Sequence, residues 1–147
     1  MERLVFPPRA RIYLDANVII YIVEGTPLFA SAARVLVDLM EAGAVVAVTS
    51  ELTLAEVLVR PLKIGNMEIV TKFKALFGSP ELLDVIPVSR AILVRAAEIR
   101  AALGGRLPDA IHASTAVDAN VTYLVTEDAG LRVPAPVSVT RFSDLAK

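Results

Sequence analysis

Cysteine is absent from this 147-residue chain, which excludes disulfides and thiolate metal sites outright. Long apolar runs are missing as well. Although 55% of the residues are hydrophobic, none of the apolar stretches approaches the roughly 18 residues that a membrane span requires. The longest candidate, Ala42 to Val48, has the length of a buried strand. Met1 to Arg11 lacks the basic start and apolar core of a signal peptide, mixing charges with Pro7 and Pro8 instead. Excess charge of one sign is also lacking, since 15 Lys and Arg oppose 16 Asp and Glu for a net charge of −1. A broad basic surface for nucleic acid is thereby excluded, but a local basic rim around an acidic centre is not. Histidine occurs once, at position 112. Repeats, low-complexity segments and linkers are absent, so residues 1–147 read as a single domain of ordinary size. A cytoplasmic location fits these features.

What is present alternates between two periodicities. Arg11 to Asp15 reads as a short strand, and Asn17 offers an N-cap for a helix over Val18 to Val23 that Gly25 and Pro27 stop. Leu28 to Glu41 places Ala32, Val35, Leu36 and Leu39 on one helical side, with Gly43 at the C-cap. Ala44 to Thr49 is a β-branched apolar run, as expected of a strand buried on both faces. Ser50 caps a helix from Glu51 to Val59 that Pro61 is expected to end. Helix resumes over Glu68 to Phe77, closed by Gly78 and Pro80. A strand follows at Leu83 to Val88, then a long helix from Ser89 to about Leu103. Pro108 opens another helix to about Ala119, Thr122 to Thr126 is a further strand, and Val137 to Thr140 a last one. Strands alternating with helices imply an α/β fold of three layers, α/β/α, around a central, mainly parallel sheet. Sites in such sheets lie beyond the carboxyl ends of the strands.

Four acids fall on that side. Asp15 ends the first strand, Glu56 lies in the helix after the second, Asp109 in the first turn behind Pro108, and Asp128 just past the fourth strand. Each has an ordinary alternative: a helix cap at Asp15, a solvated helix residue at Glu56, a carboxylate favoured by a helix N-terminus at Asp109, and a turn before Ala129-Gly130 at Asp128. Together they form the donor set of a hard divalent cation. Mg²⁺ takes oxygen ligands and keeps several waters, whereas carboxylates crowded without a cation repel one another. A cation held there can activate water against a phosphodiester and stabilise the leaving oxygen, with no protein nucleophile.

The segments that carry these acids resemble the motifs of PIN domains. They are Tyr13-Leu14-Asp15-Ala16-Asn17-Val18-Ile19, Thr53-Leu54-Ala55-Glu56-Val57, Pro108 to Ala116, and Leu124-Val125-Thr126-Glu127-Asp128. The resemblance covers nearly the whole chain in the right order. It implies a Mg²⁺- or Mn²⁺-dependent endoribonuclease whose metal and catalytic residues are Asp15, Glu56, Asp109 and Asp128. It further implies the toxin half of a type II, VapBC-like toxin–antitoxin pair, with RNA as substrate, a homodimeric state and an antitoxin that docks near the active site. One departure is Glu127, where the motif commonly has Asn; Asp128, by its distance from Thr126, is the residue expected at the metal.

Around the acids, Thr126 sits where it can hydrogen-bond them, while Ser50 and Asn17 are expected as caps. His112 lies one helical turn beyond Asp109 and is expected to be structural. Arg60, Lys63, Lys72 and Lys74, with Arg9 and Arg11 as weaker candidates, either contact RNA phosphates or form solvated faces. Leu28, Phe29, Phe73 and Phe77 are expected in the core, with a dimer or antitoxin groove as the alternative. Two other patterns that place an Asp at a strand end, one a phosphatase and one a phospho-acceptor, fit poorly. A haloacid-dehalogenase-like phosphatase needs a second Asp where this chain has Asn17, and a receiver domain needs an Asp where the third strand ends in Pro87 and Val88. A non-catalytic module of the same fold that binds RNA or a partner is the reading from a different class.

Overall fold

A computed structural model describes residues 6–128 and 130–147. Most of the charged N-terminal stretch and the Ala129 of the turn after Asp128 therefore lie outside the described residues. The chain runs β1 (Ala10–Leu14), α1 (Ala16–Glu24), a 3-10 turn (Pro27–Phe29), α2 (Ala30–Glu41), β2 (Val45–Ser50), α3 (Glu51–Ile64) and α4 (Met67–Phe77). It continues through β3 (Asp84–Ile86), α5 (Arg90–Leu103), α6 (Leu107–Asp118), β4 (Tyr123–Thr126), β5 (Ser138–Arg141) and a C-terminal 3-10 segment (Phe142–Ala146).

The five strands form one sheet in the order β3-β2-β1-β4-β5, and every pairing is parallel. Side chains alternate across it as a pleat requires. Ile12 and Leu14 of β1, Val45 and Ala47 of β2 and Val125 of β4 join Val18, Leu36, Val57 and Phe73 in one core. Tyr13, Val48 and Leu124 point the other way and pack with Ala116 of α6, next to a cluster of Ile92, Ala96 and Ala113 between α5 and α6. Burial on both faces explains the β-branched runs of β2 and β4, and it produces the three layers expected from the alternation. No single helix among the described residues is long and apolar enough to cross a membrane.

The chain leaves β1 for β2 and β3 on one flank and returns to β4 on the other. The reversal of direction at β1 and β4 is a topological switch point, where the carboxyl ends of adjacent strands open a crevice.

Several local expectations need correction. Pro61 does not end α3; the helix runs on to Ile64 and stops at Gly65, whose φ of 74° suits a residue without Cβ. Pro61 falls in the last turns, and its ring is buried, so the missing amide bond is offset by apolar contact. Asn17 does not cap α1. The cap is Asp15, whose Oδ1 accepts the Val18 amide at 3.0 Å. Strand β3 is three residues long, because the chain turns off the edge before Pro87. Leu28 lies in the 3-10 turn and is 83% exposed, not in the core, whereas Phe73 is fully buried.

Phe142 ties the C-terminal segment down. It is fully buried and packs against Tyr21 and Phe29, each at 5.9 Å between ring centroids. Replacing Phe142 by Ala is expected to cost about 3–5 kcal/mol of unfolding free energy in a denaturant titration; a loss below about 1 kcal/mol would place this ring outside the cooperative core.

Candidate active site

Asp15 follows the last residue of β1, with its amide 3.4 Å from the Val125 carbonyl of β4, so its carboxylate stands at the switch point. Two groups fix it. The Val18 amide donates to Oδ1 at 3.0 Å, and the Thr126 hydroxyl, at the end of β4, donates to Oδ2. The same hydroxyl accepts the Asp128 amide at 3.0 Å. The carboxyl ends of the two central strands are thus joined through one threonine, as its strand-end position suggested. Burial pushes the Asp15 carboxyl above the ordinary aspartate range; the bonds from Thr126 and Val18 and the nearby His112 oppose this, and the Asp128 charge adds to it.

The other acids arrive from separate elements. Ser50 accepts the Leu52 amide at 3.0 Å and starts α3, which brings Glu56 forward two turns along. Asp109 lies in the first turn of α6, and its Oδ2 is 3.4 Å from Nε of Arg106. Asp128 accepts the Gly130 amide at 2.9 Å. All four acids, with Asn17, Arg106 and His112, line one cavity of about 260 Å³. A cavity of about 560 Å³ between α2 and the C-terminal segment is larger, but it carries a single carboxylate, Asp38. The chemistry therefore points to the smaller one.

Glu127 and Asp128 separate cleanly. Glu127 turns away to accept the Ser143 amide at 2.6 Å and pair with Arg141 at 3.3 Å. Although burial raises its carboxyl, those bonds prevail and hold it below the usual range. Asp128 alone of the two lines the cavity.

His112 is more than a core residue. Its side chain is 6% exposed, yet it reaches the cavity, with Nε2 2.6 Å from Glu56 Oε1 and Nδ1 2.5 Å from the Tyr13 hydroxyl. Arg106 carried no sequence signal for the site, and Tyr13 stood in the first motif without a role of its own. Arg106 sits three residues before Asp109, a spacing that hints at the pair only once the helix start is known. Neither Arg9 nor Arg11 lines the cavity. Arg11 pairs with Asp84 at 3.1 Å and donates to the Ala119 carbonyl at 2.7 Å, four strand residues before Asp15 and hence about 13 Å away at the amino end of the sheet. Lys72 pairs with Glu68 along α4 at 3.6 Å, and neither Lys72 nor Lys74 lines the cavity.

The donor set is oxygen only, apart from the imidazole, and suits Mg²⁺ or Mn²⁺ in preference to softer ions. Among the described residues no three His, Asp or Glu side chains converge closely enough to form a finished metal cage. That spacing is compatible with a cation held by one or two carboxylates and reached by the others through water, the usual habit of Mg²⁺.

The PIN-domain family model matches residues 12–135. No curated protein matches the chain. Solved structures do. A toxin–antitoxin complex from Klebsiella pneumoniae is 23% identical with a TM-score of 0.64, over 88% of this chain and 96% of that one. VapBC2 from Rickettsia felis, bound to a DNA fragment from its promoter, is 21% identical with a TM-score of 0.68, over 89% and 98%. VapC20 from Mycobacterium tuberculosis, a toxin that cleaves the sarcin–ricin loop, is 15% identical with a TM-score of 0.67, over 82% and 92%. At these identities the likeness is one of fold.

The raised Asp15 carboxyl has a consequence for stability. Its ionisation is harder in the folded state than in the unfolded chain, so ionisation favours unfolding. In metal-free protein, stability is expected to fall as pH rises from below the ordinary aspartate range through the raised value of Asp15. Asp15→Asn keeps an N-cap acceptor and a partner for Thr126 but no titrating group. The difference in unfolding free energy between wild type and Asp15→Asn should therefore grow with pH in the variant's favour; parallel pH profiles would refute it.

Proposed function

Since the chain belongs to the PIN-domain family, we propose that it is a metal-dependent endoribonuclease, hydrolysing RNA phosphodiester bonds as the toxin of a type II toxin–antitoxin pair. The observation that carries this reading is the cavity at the switch point, lined by Asp15, Glu56, Asp109 and Asp128. Four carboxylates from separate parts of the chain, three of them partly buried, are costly to bring together, and a bound cation is what offsets that cost. The similarity of fold to VapC20, a sarcin–ricin loop cleaving toxin, supports RNA as the substrate class.

In this proposal Asp15, Glu56, Asp109 and Asp128 hold Mg²⁺ or Mn²⁺. The cation, when bound, supplies an activated water and charge stabilisation for the leaving oxygen. Thr126 and the Val18 amide keep both Asp15 oxygens in register, so the carboxylate does not reorganise when its charge is needed. Arg106, whose side chain is 80% exposed at the mouth of the cavity, is the cation placed to meet a phosphate without a broad basic surface. Lys72 and Lys74 are at most remote contributors.

The proposal includes two protein partners. An antitoxin segment that lays a basic side chain among the carboxylates blocks both metal and substrate, and an Arg suits this role by bidentate pairing. The complexes of similar fold from Klebsiella pneumoniae and Rickettsia felis support such a partner. A homodimer belongs to the proposal too; Val59, Leu62, Ile64 and Met67, apolar and all more than half exposed on α3 and α4, give it a surface to close.

The experiment is cleavage of structured RNA by purified protein with Mg²⁺ or Mn²⁺, with chelator, and after restoring the ion. Chelation and Asp15→Asn should each abolish cleavage, with a loss of at least about 100-fold in rate. Full activity in Asp15→Asn, or activity that survives chelation, removes the metal mechanism; metal-dependent RNA binding without cleavage leaves the non-catalytic module. Arg106→Ala should raise KM and flatten the salt dependence of RNA binding by about one counterion. An unchanged salt slope returns Arg106 to the surface.

A further inference from the structure

One imidazole touches three of the elements that carry the acids. His112 stands on α6 one turn after Asp109, its Nε2 reaches Glu56 Oε1 of α3 at 2.6 Å, and its Nδ1 meets the hydroxyl of Tyr13, two residues before Asp15 on β1, at 2.5 Å. An ionised carboxylate only accepts hydrogen bonds, so Nε2 carries a proton and donates to Glu56. The other ring nitrogen, Nδ1, is held by the Tyr13 hydroxyl. Tyr13 is fully buried, and its burial holds the phenol protonated far beyond neutral pH. Thr49 donates to the Leu14 carbonyl at 2.8 Å. The ring is thus oriented from the end of β1, and its one outward proton is aimed at Glu56.

We infer that His112 is a positioning residue for Glu56: with its ring held by Tyr13, it commits Oε1 and leaves the second carboxylate oxygen to the cavity that Glu56 lines. This deepens the cation-site reading and rests on it. It also departs from the structural role that the sequence suggested for the histidine. A core histidine needs both nitrogens satisfied, but it has no reason to place one of them on an acid of the site. Groups that orient a ligand from behind are worth about 10- to 100-fold in metal affinity.

The test is Mn²⁺ affinity by calorimetric titration without RNA, beside a thermal melt of each variant. His112→Leu keeps the volume and removes the donor, and is expected to weaken Mn²⁺ binding by at least about 10-fold. His112→Gln, which returns an N–H near the position of Nε2, should recover most of the loss. In a Glu56→Gln background, where the acid to be oriented is gone, His112→Leu should cost less than about 2-fold. Should His112→Leu fail to fold, Tyr13→Phe carries the same cycle with one hydroxyl removed, and its effect too should vanish with Glu56→Gln. Equal losses in both backgrounds, or no rescue by glutamine, overturn the inference. Asp15→Asn separates the two levels. If it leaves Mn²⁺ affinity unchanged, the cation site itself falls; if it abolishes binding while His112 and Glu56 act independently, the positioning role alone falls.

Discussion

The carboxylate at the end of β1 is held by its neighbours before any ligand arrives. One oxygen takes an amide from α1 and the other a hydroxyl from β4, and β1 and β4 are the two strands between which the sheet changes direction. That bond ties the site to the topology. It demands adjacent parallel strands whose ends coincide, which demands crossover helices on both faces and a sheet buried on both sides. Among the described residues, β-branched strands, apolar clusters on both faces of the sheet and six α-helices together hold Asp15 beside Thr126.

The arrangement works against stability. Burial raises the Asp15 carboxyl, and Asp128 adds its charge, so the fold tolerates a charge it would hold more easily with a cation present. Hydrogen bonds keep the acid usable: both oxygens are partnered, and no buried polar side-chain atom among the described residues lacks a partner. Acids outside the site are treated differently. Glu127 is next in sequence to Asp128, yet it is neutralised by Arg141 and an amide, and Asp84 is paired with Arg11 at the opposite end of the sheet. Those two carboxylates have arginine partners of their own, while among the cavity's acids Glu56 meets the His112 imidazole and Asp109 meets Arg106 at 3.4 Å, exposed to solvent.

The fold was legible because its signals are local and repeated. Alternating burial wrote itself into Ala44 to Thr49, and serines 50 and 89 stood where helices begin, each accepting an amide of the first turn. The convergence of the acids was legible for the same reason, since strand ends in a parallel sheet share a side. What escaped was whatever depends on distance in the chain. Glu56 and His112 are separated by 56 residues, and no periodicity announces that their side chains meet. Arg11 looked like a rim cation until Asp84, 73 residues away, proved to hold it. Pro61 was misread because its local rule ignores a ring that finds a buried place late in a helix. Asn17 was misread because Asp15, two residues earlier, does the capping itself.

That last substitution of roles bears on how the site is built. An aspartate that caps a helix and, in the proposed function, holds a cation lies where the positive end of the α1 dipole meets the carboxyl ends of the strands. The helix end stabilises the negative charge while the buried crevice penalises it, and burial is the larger of the two influences at Asp15. The balance leaves a carboxylate that is rigid, directed and still in want of a positive partner. Asp109, in the first turn of α6, repeats the pattern with a second helix N-terminus. Two helix starts aimed at one crevice, each carrying an aspartate, lessen the repulsion between the acids without neutralising either, and they leave the remaining charge to a ligand.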